Sequence, residues 1–106
     1  MQLTSAERNV MMILWTAAPT PLSRDEICNS VVRTDDWKDS TFYVIMRSLK
    51  NKMAVQETSS KLGEPQKERR FVPLISCEEY YAQLMADSPF RIDFKKLHKA
   101  YLAKSH

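Results

Sequence analysis

Hydrophobic positions change their spacing part-way along the chain. At first they recur every three or four residues, the interval of a helix with one buried face. Ala6, Val10, Ile13, Leu14 and Ala17 form one such stripe, with Trp15 beside it. Thr4-Ser-Ala-Glu7 opens it as a capping box, in which a hydroxyl and a carboxylate satisfy free N–H groups reciprocally. Pro19 and Pro21 close it, because neither can continue a helix. A second box, Ser23-Arg-Asp-Glu26, predicts a short helix with Ile27, Cys28 and Val31 turned inward. After a polar break a third helix is predicted, capped by Asp39 or Ser40. It carries Phe42, Ile45, Met46 and Leu49 at i, i+3, i+4 and i+7.

The period then falls to two. Val55 to Thr58 reads as a strand, and residues 59–68 as a polar loop holding the only glycine, Gly63, and Pro65. A returning strand over 69–74 turns Phe71 inward, with Pro73 at a sheet edge or at the strand's end. Ser76-Cys-Glu-Glu79 is a third capping box and opens a helix through Tyr80, Tyr81, Leu84 and Met85. Ser88 and Pro89 start a fifth helix, with Phe90, Phe94, Leu97 and Tyr101 on one face. Three helices followed by a hairpin is the order of a winged helix-turn-helix, whose third helix enters the major groove of DNA and whose hairpin is the wing. The fold class predicted is mainly α with a small β-hairpin: a winged helix-turn-helix over residues 1–75 and a C-terminal helical segment over 76–106.

Composition agrees with one packed domain. The 106 residues are 43% hydrophobic and 27% charged, and one glycine with five prolines speaks against a turn-rich sandwich. No apolar run reaches the ~18 residues of a membrane span and no signal peptide opens the chain, so a cytoplasmic protein is expected. Cys28 and Cys77 stand in unlike contexts and are expected to be reduced, the first in the core and the second near a helix start. Neither they nor His98 and His106 have metal-ligand spacing. No glycine-rich phosphate loop or nucleophile motif is present, so neither an enzyme nor a cofactor is expected.

Charge changes the picture more. Residues 1–36 have a net charge of −2, residues 37–75 of +4 and residues 76–106 of +1. The excess lies in the third helix and the hairpin, where a polyanion is the natural partner. The third helix's polar side carries Ser40, Thr41, Tyr43, Val44, Arg47, Ser48 and Asn51. Short side chains allow close approach to a groove, and Arg47 is long enough to reach a guanine edge. Ser40, Thr41 and Asn51 suit phosphate or mixed contacts, and Lys50 and Lys52 suit phosphates. In the wing, Lys61, Lys67, Arg69 and Arg70 are phosphate candidates, diluted by Glu64 and Glu68. Ser23 and Arg24 are better explained by capping than by anion binding.

Three segments of the chain resemble the BlaI/MecI family of penicillinase repressors, over roughly residues 3–82. "LTSAERNVMMILW" is similar to the family's opening, "DW" with "STFYVIMRSL" to its recognition helix, and "RRFVPLISCEEYYA" to its Pro-Leu-Val-Ser-x-Glu-Glu-Tyr region. The resemblance implies a dimeric repressor of inverted-repeat operators, with Thr41 and Trp37 at the family's threonine and tryptophan. In some members a membrane-bound sensor and a protease release the DNA, but the cleaved Asn-Phe dipeptide is absent here. Departures are Val44 at a family threonine, Ser48 at its arginine with Arg47 one place earlier, and Lys52-Met53 where many members have Lys-Gly. The expected partners are thus double-stranded DNA carrying an operator palindrome and a second copy of the chain. Pairing is assigned to Phe90, Phe94, Leu97 and Tyr101, against the alternative that this helix folds back on its own chain. The alternative function is a winged-helix adaptor or anti-repressor that binds protein through its aromatic stripe.

Overall fold

In the computed structural model, which describes residues 1–58 and 69–87, helix α1 (Ser5–Ala17) is followed by strand β1 (Leu22–Ser23) and helix α2 (Arg24–Cys28). A short 3-10 turn, Asp39–Thr41, leads into α3 (Phe42–Asn51), then come β2 (Val55–Thr58), β3 (Arg70–Pro73) and α4 (Cys77–Ala86). The winged-helix order predicted from the pattern is the order observed. The fifth helix expected over 88–106 lies outside the described residues.

Helices α1, α2 and α4 begin for the reason their sequence suggests. Thr4 and Glu7 form both bonds of a capping box, Glu7 N–H to the Thr4 hydroxyl at 3.1 Å and Thr4 N–H to the Glu7 carboxylate at 2.9 Å. Ser23 and Glu26 repeat the arrangement at 3.3 and 3.0 Å. At α4 the Ser76 hydroxyl accepts the Glu79 N–H at 3.0 Å, one half of such a box.

The third helix is the exception. Neither Asp39 nor Ser40 caps it: the Asp39 carboxylate is taken by Arg33, and the Thr41 hydroxyl donates back to the Lys38 carbonyl at 2.8 Å. The 3-10 turn supplies the start instead. A second correction concerns Val31, which is fully exposed. Helix α2 stops at Cys28, and the turn that follows, with the Val32 N–H on the Ser30 hydroxyl at 3.1 Å, directs Val32 toward the core in its place.

The strands form one antiparallel sheet in the order β1-β3-β2. The two residues of β1 were not expected. They pair with the start of β3, Leu22 opposite Phe71 and Ser23 opposite Arg70. Pro73 lies beyond that pairing and faces only Val55 of β2, so a residue without an N–H is tolerated at the end of a central strand. Phe71 itself is fully buried and meets Phe42 edge-on, ring centroids 5.7 Å apart. Val10, Met11 and Leu14 of α1, Ile27 of α2, Met46 and Leu49 of α3 and Tyr80 of α4 close the core around this pair. Trp15, at the edge of this core, stacks near Tyr80 at 5.7 Å and donates its ring N–H to the Ile75 carbonyl at 2.9 Å. Among the described residues, no helix is long and apolar enough to cross a membrane.

The end of α3 is closed by a Schellman motif. Met53 N–H bonds to the Lys50 carbonyl at 3.0 Å and Ala54 N–H to the Leu49 carbonyl at 2.9 Å. The motif needs a left-handed residue, and Met53 supplies it with φ of 60° at a largely exposed site. A side chain in that region is disfavoured by about 1–2 kcal/mol, part of which glycine returns through its freer unfolded chain. Met53→Gly is therefore expected to raise stability by about 0.5–1 kcal/mol, and Met53→Ile to lower it. Urea midpoints of the two variants check both signs.

Candidate nucleic-acid interface

Helix α3 divides cleanly. Phe42, Ile45, Met46 and Leu49 are buried, while Tyr43 and Val44 stay 43% and 66% exposed and Arg47 and Asn51 lie open to solvent. Ser40 and Thr41 are exposed in the preceding turn. Arg47 has no hydrogen-bond or ion-pair partner among the described residues. A long cation left unpaired between an exposed aromatic and an exposed aliphatic side chain suits a groove whose edges offer acceptors and methyl groups.

The connection from α2 to α3 is held by two polar residues, Asn9, which is buried, and Arg33, which is partly so. Asn9 of α1 donates to the Val32 carbonyl at 3.0 Å. Its amide oxygen accepts from Thr34 N–H at 3.0 Å and from the Trp37 ring N–H at 2.8 Å. Arg33 donates to the carbonyls of Cys28 at 2.9 Å and Trp37 at 3.1 Å, pairs with Asp39, and lies over the Trp37 ring at 4.1 Å. Trp37 is therefore a buried strut, and the entry to α3 is tied to α1 at several points.

The other end of α3 is tied to the start of α1. Glu7 is only 3% exposed, yet it is charged. Its carboxylate accepts from Lys52 Nζ at 2.7 Å and the Ser48 hydroxyl at 2.7 Å, besides the capping bond to Thr4. Burial alone would raise this carboxyl, but the bonds from Lys52, Thr4 and Ser48 outweigh it and hold it below its ordinary range. Lys52 also donates to the Gln2 carbonyl at 2.9 Å. Ser48 and Lys52, read from sequence as contact residues, are thus occupied inside the molecule.

At the base of the wing the same holds for three further candidates. Glu57 of β2 accepts from Lys50 of α3 and, through both its oxygens, from Arg69; the Arg69 Nη2 bond is 3.2 Å. Those bonds, Arg69 first and Lys50 second, pull the Glu57 carboxyl down to about 2. The Arg69 guanidinium also lies 4.7 Å from the centre of the Tyr43 ring. Arg70 donates to Glu26 at 2.7 Å and to the Pro21 carbonyl at 3.3 Å. Between helix and wing remains an open cleft of about 280 Å³ lined by Tyr43, Met46, Arg47, Lys50 and Arg69. The structure thus brings Tyr43, Arg47, Lys50 and Arg69 together and sets Ser48, Lys52 and Arg70 to other tasks. Lys61 and Lys67 lie outside the described residues, as do Phe90, Phe94, Leu97 and Tyr101. Sequence reasoning missed Glu57 and Asn9 and gave Glu7 only its capping role; an acidic residue in a strand and an asparagine on a helical stripe carry no local signal of a partner.

With this geometry established, comparison with known proteins is decisive. The profile of the penicillinase repressor family matches residues 3–104. The chain belongs to that family. It is a family of transcriptional repressors, not of enzymes. Among solved structures, PadR of Bacillus subtilis in complex with operator DNA superimposes with a TM-score of 0.57 at 14% identity. The match covers 99% of this chain and 62% of PadR, and at that identity it speaks for the winged-helix fold alone. No curated protein matches the chain. For this penicillinase repressor family member the profile extends the likeness past residue 82, where the sequence motifs stop, to residue 104.

Two measurements test how the interface is held. Asn9→Ala removes three bonds and strands the Trp37 N–H in the core, so it is expected to lower stability by about 2–3 kcal/mol in urea titration. Acid is expected to weaken the fold as well. Glu7, Glu26 and Glu57 are all held below the usual 4.5, so their contribution is complete above that pH. It fades as pH falls from 4.5 toward the Glu57 value of about 2. The urea midpoint is expected to be flat above pH 5.5 and to drop below 4.5, less steeply in Glu57→Gln.

Proposed function

We propose that the protein represses transcription by occupying an inverted-repeat operator as a homodimer. Helix α3 of each copy lies in a major groove, and the wing runs beside the phosphate backbone. The observation that carries this reading is the split character of α3. One side is sealed against Phe71, and the other presents Tyr43, Val44, Arg47 and Asn51 from a rigidly tied helix. In this mode Arg47 reads a guanine edge, Val44 meets a thymine methyl group, and Ser40, Thr41 and Asn51 contact phosphates or sugars. Lys61 and Lys67 add phosphate contacts from the wing. Pairing is assigned to the segment 76–106 through the stripe Phe90, Phe94, Leu97 and Tyr101, since a two-fold operator needs a two-fold protein. The mechanism is steric, needs no cofactor, and places the protein in the cytoplasm with its DNA.

The test is selection of bound sequences from a random duplex library at moderate salt. An enriched inverted repeat is the expected result, its half-site spacing set by the pairing of the C-terminal segments; a single half-site would remove the dimer from the proposal. On the selected duplex, Arg47→Ala is expected to weaken binding by about 1–3 kcal/mol while changing non-specific binding much less. Equal losses on both duplexes would reduce Arg47 to a backbone contact.

A further inference from the structure

Glu57 sits where a DNA-binding surface has least use for negative charge. Its carboxylate holds Lys50 from the recognition helix and Arg69 from the wing, and these two cations line the cleft with Tyr43, Met46 and Arg47. Burial does not demand it. The Arg69 side chain is about half exposed and already rests on the Tyr43 ring, and the Lys50 ammonium lies 5.7 Å from the centre of the Phe71 ring. The three side chains are partly exposed, and ion pairs of this kind add only modestly to stability. Among the described residues, Glu57 is the only acidic residue bonded to the cleft's cations, and Arg47 has no partner.

We infer that Glu57 is an internal counter-ion, which occupies Lys50 and Arg69 in the free protein and yields them to a backbone phosphate when DNA enters the cleft. The inference rests on the DNA-binding reading above. Carboxylate and phosphodiester oxygens offer a guanidinium the same bidentate geometry, so the exchange leaves both cations in place. What changes is the balance of charge. The displaced carboxylate stays beside the bound phosphate and opposes it on every sequence, whereas the Arg47 base contact is gained only on the right one. Glu57 thereby lowers sequence-independent affinity and leaves a larger share of binding to the α3 side chains.

The experiment is a salt titration of binding for the wild type and Glu57→Gln, on the selected operator and on an unrelated duplex, with native folding checked by circular dichroism. Removing one opposing charge is expected to steepen the slope of log K against log salt by about 1, and to raise affinity for the unrelated duplex about ten-fold at low salt. The gain is expected to vanish in the triple variant E57Q/K50M/R69M, which has no cations left to release. An unchanged or weakened Glu57→Gln overturns the inference and makes Glu57 a brace that DNA needs; so does a gain that survives in the triple variant. If neither wild type nor variant binds either duplex, the DNA-binding reading itself falls, and this inference with it.

Discussion

Burial of Phe42 against Phe71 decides which way the third helix faces. Both rings are withdrawn from solvent and packed edge to face, and each such side chain contributes about 1.5–3 kcal/mol by leaving water. Turning α3 about its axis would expose that area together with Ile45, Met46 and Leu49. The outward set Tyr43, Val44, Arg47 and Asn51 is therefore not chosen independently. It is what remains once the apolar stripe has found the sheet.

Hydrophobic burial is not directional, and it leaves the helix free to slide. Hydrogen bonds remove that freedom. Asn9 fixes the loop before α3, and Glu7 fixes its last turn through Ser48 and Lys52. Both anchors belong to α1, so the first helix acts as the bench on which the recognition helix is clamped at two ends. Buried polar groups of this sort are stabilising only while every partner is present. A network with directional bonds at both ends gives a helix one position, which the proposed sequence-specific binding requires.

Much of this was legible in the sequence. Capping boxes at Thr4 and Ser23, the α3 stripe and the strand Val55–Thr58 are local features whose cause and effect lie within a few residues. What could not be read depended on distant partners. Ser48 and Lys52 look like contact residues until Glu7, more than forty positions away, is brought beside them. Lys50 and Arg69 look like free cations until β2 delivers Glu57. The two-residue strand β1 has no periodicity of its own and exists because β3 offers an edge. Val31 faces outward because α2 ends at Cys28, before the helical period can carry the buried face a further turn to it.

The Schellman turn has a mechanical meaning. From the last residue of α3 to the first of β2 only Lys52, Met53 and Ala54 intervene, and all are fixed: Lys52 by Glu7, Met53 and Ala54 by bonds back into the helix. Ala54 in turn accepts from Leu74 N–H at 2.8 Å, stitching the same point to the far end of the hairpin. Recognition helix and wing base are thus one rigid jaw without a hinge between them. Under the proposed mode of binding, a duplex that does not fit this jaw cannot be met half-way by the protein. The strain falls on the DNA, and base steps that bend easily beside the contacted positions are favoured without being touched.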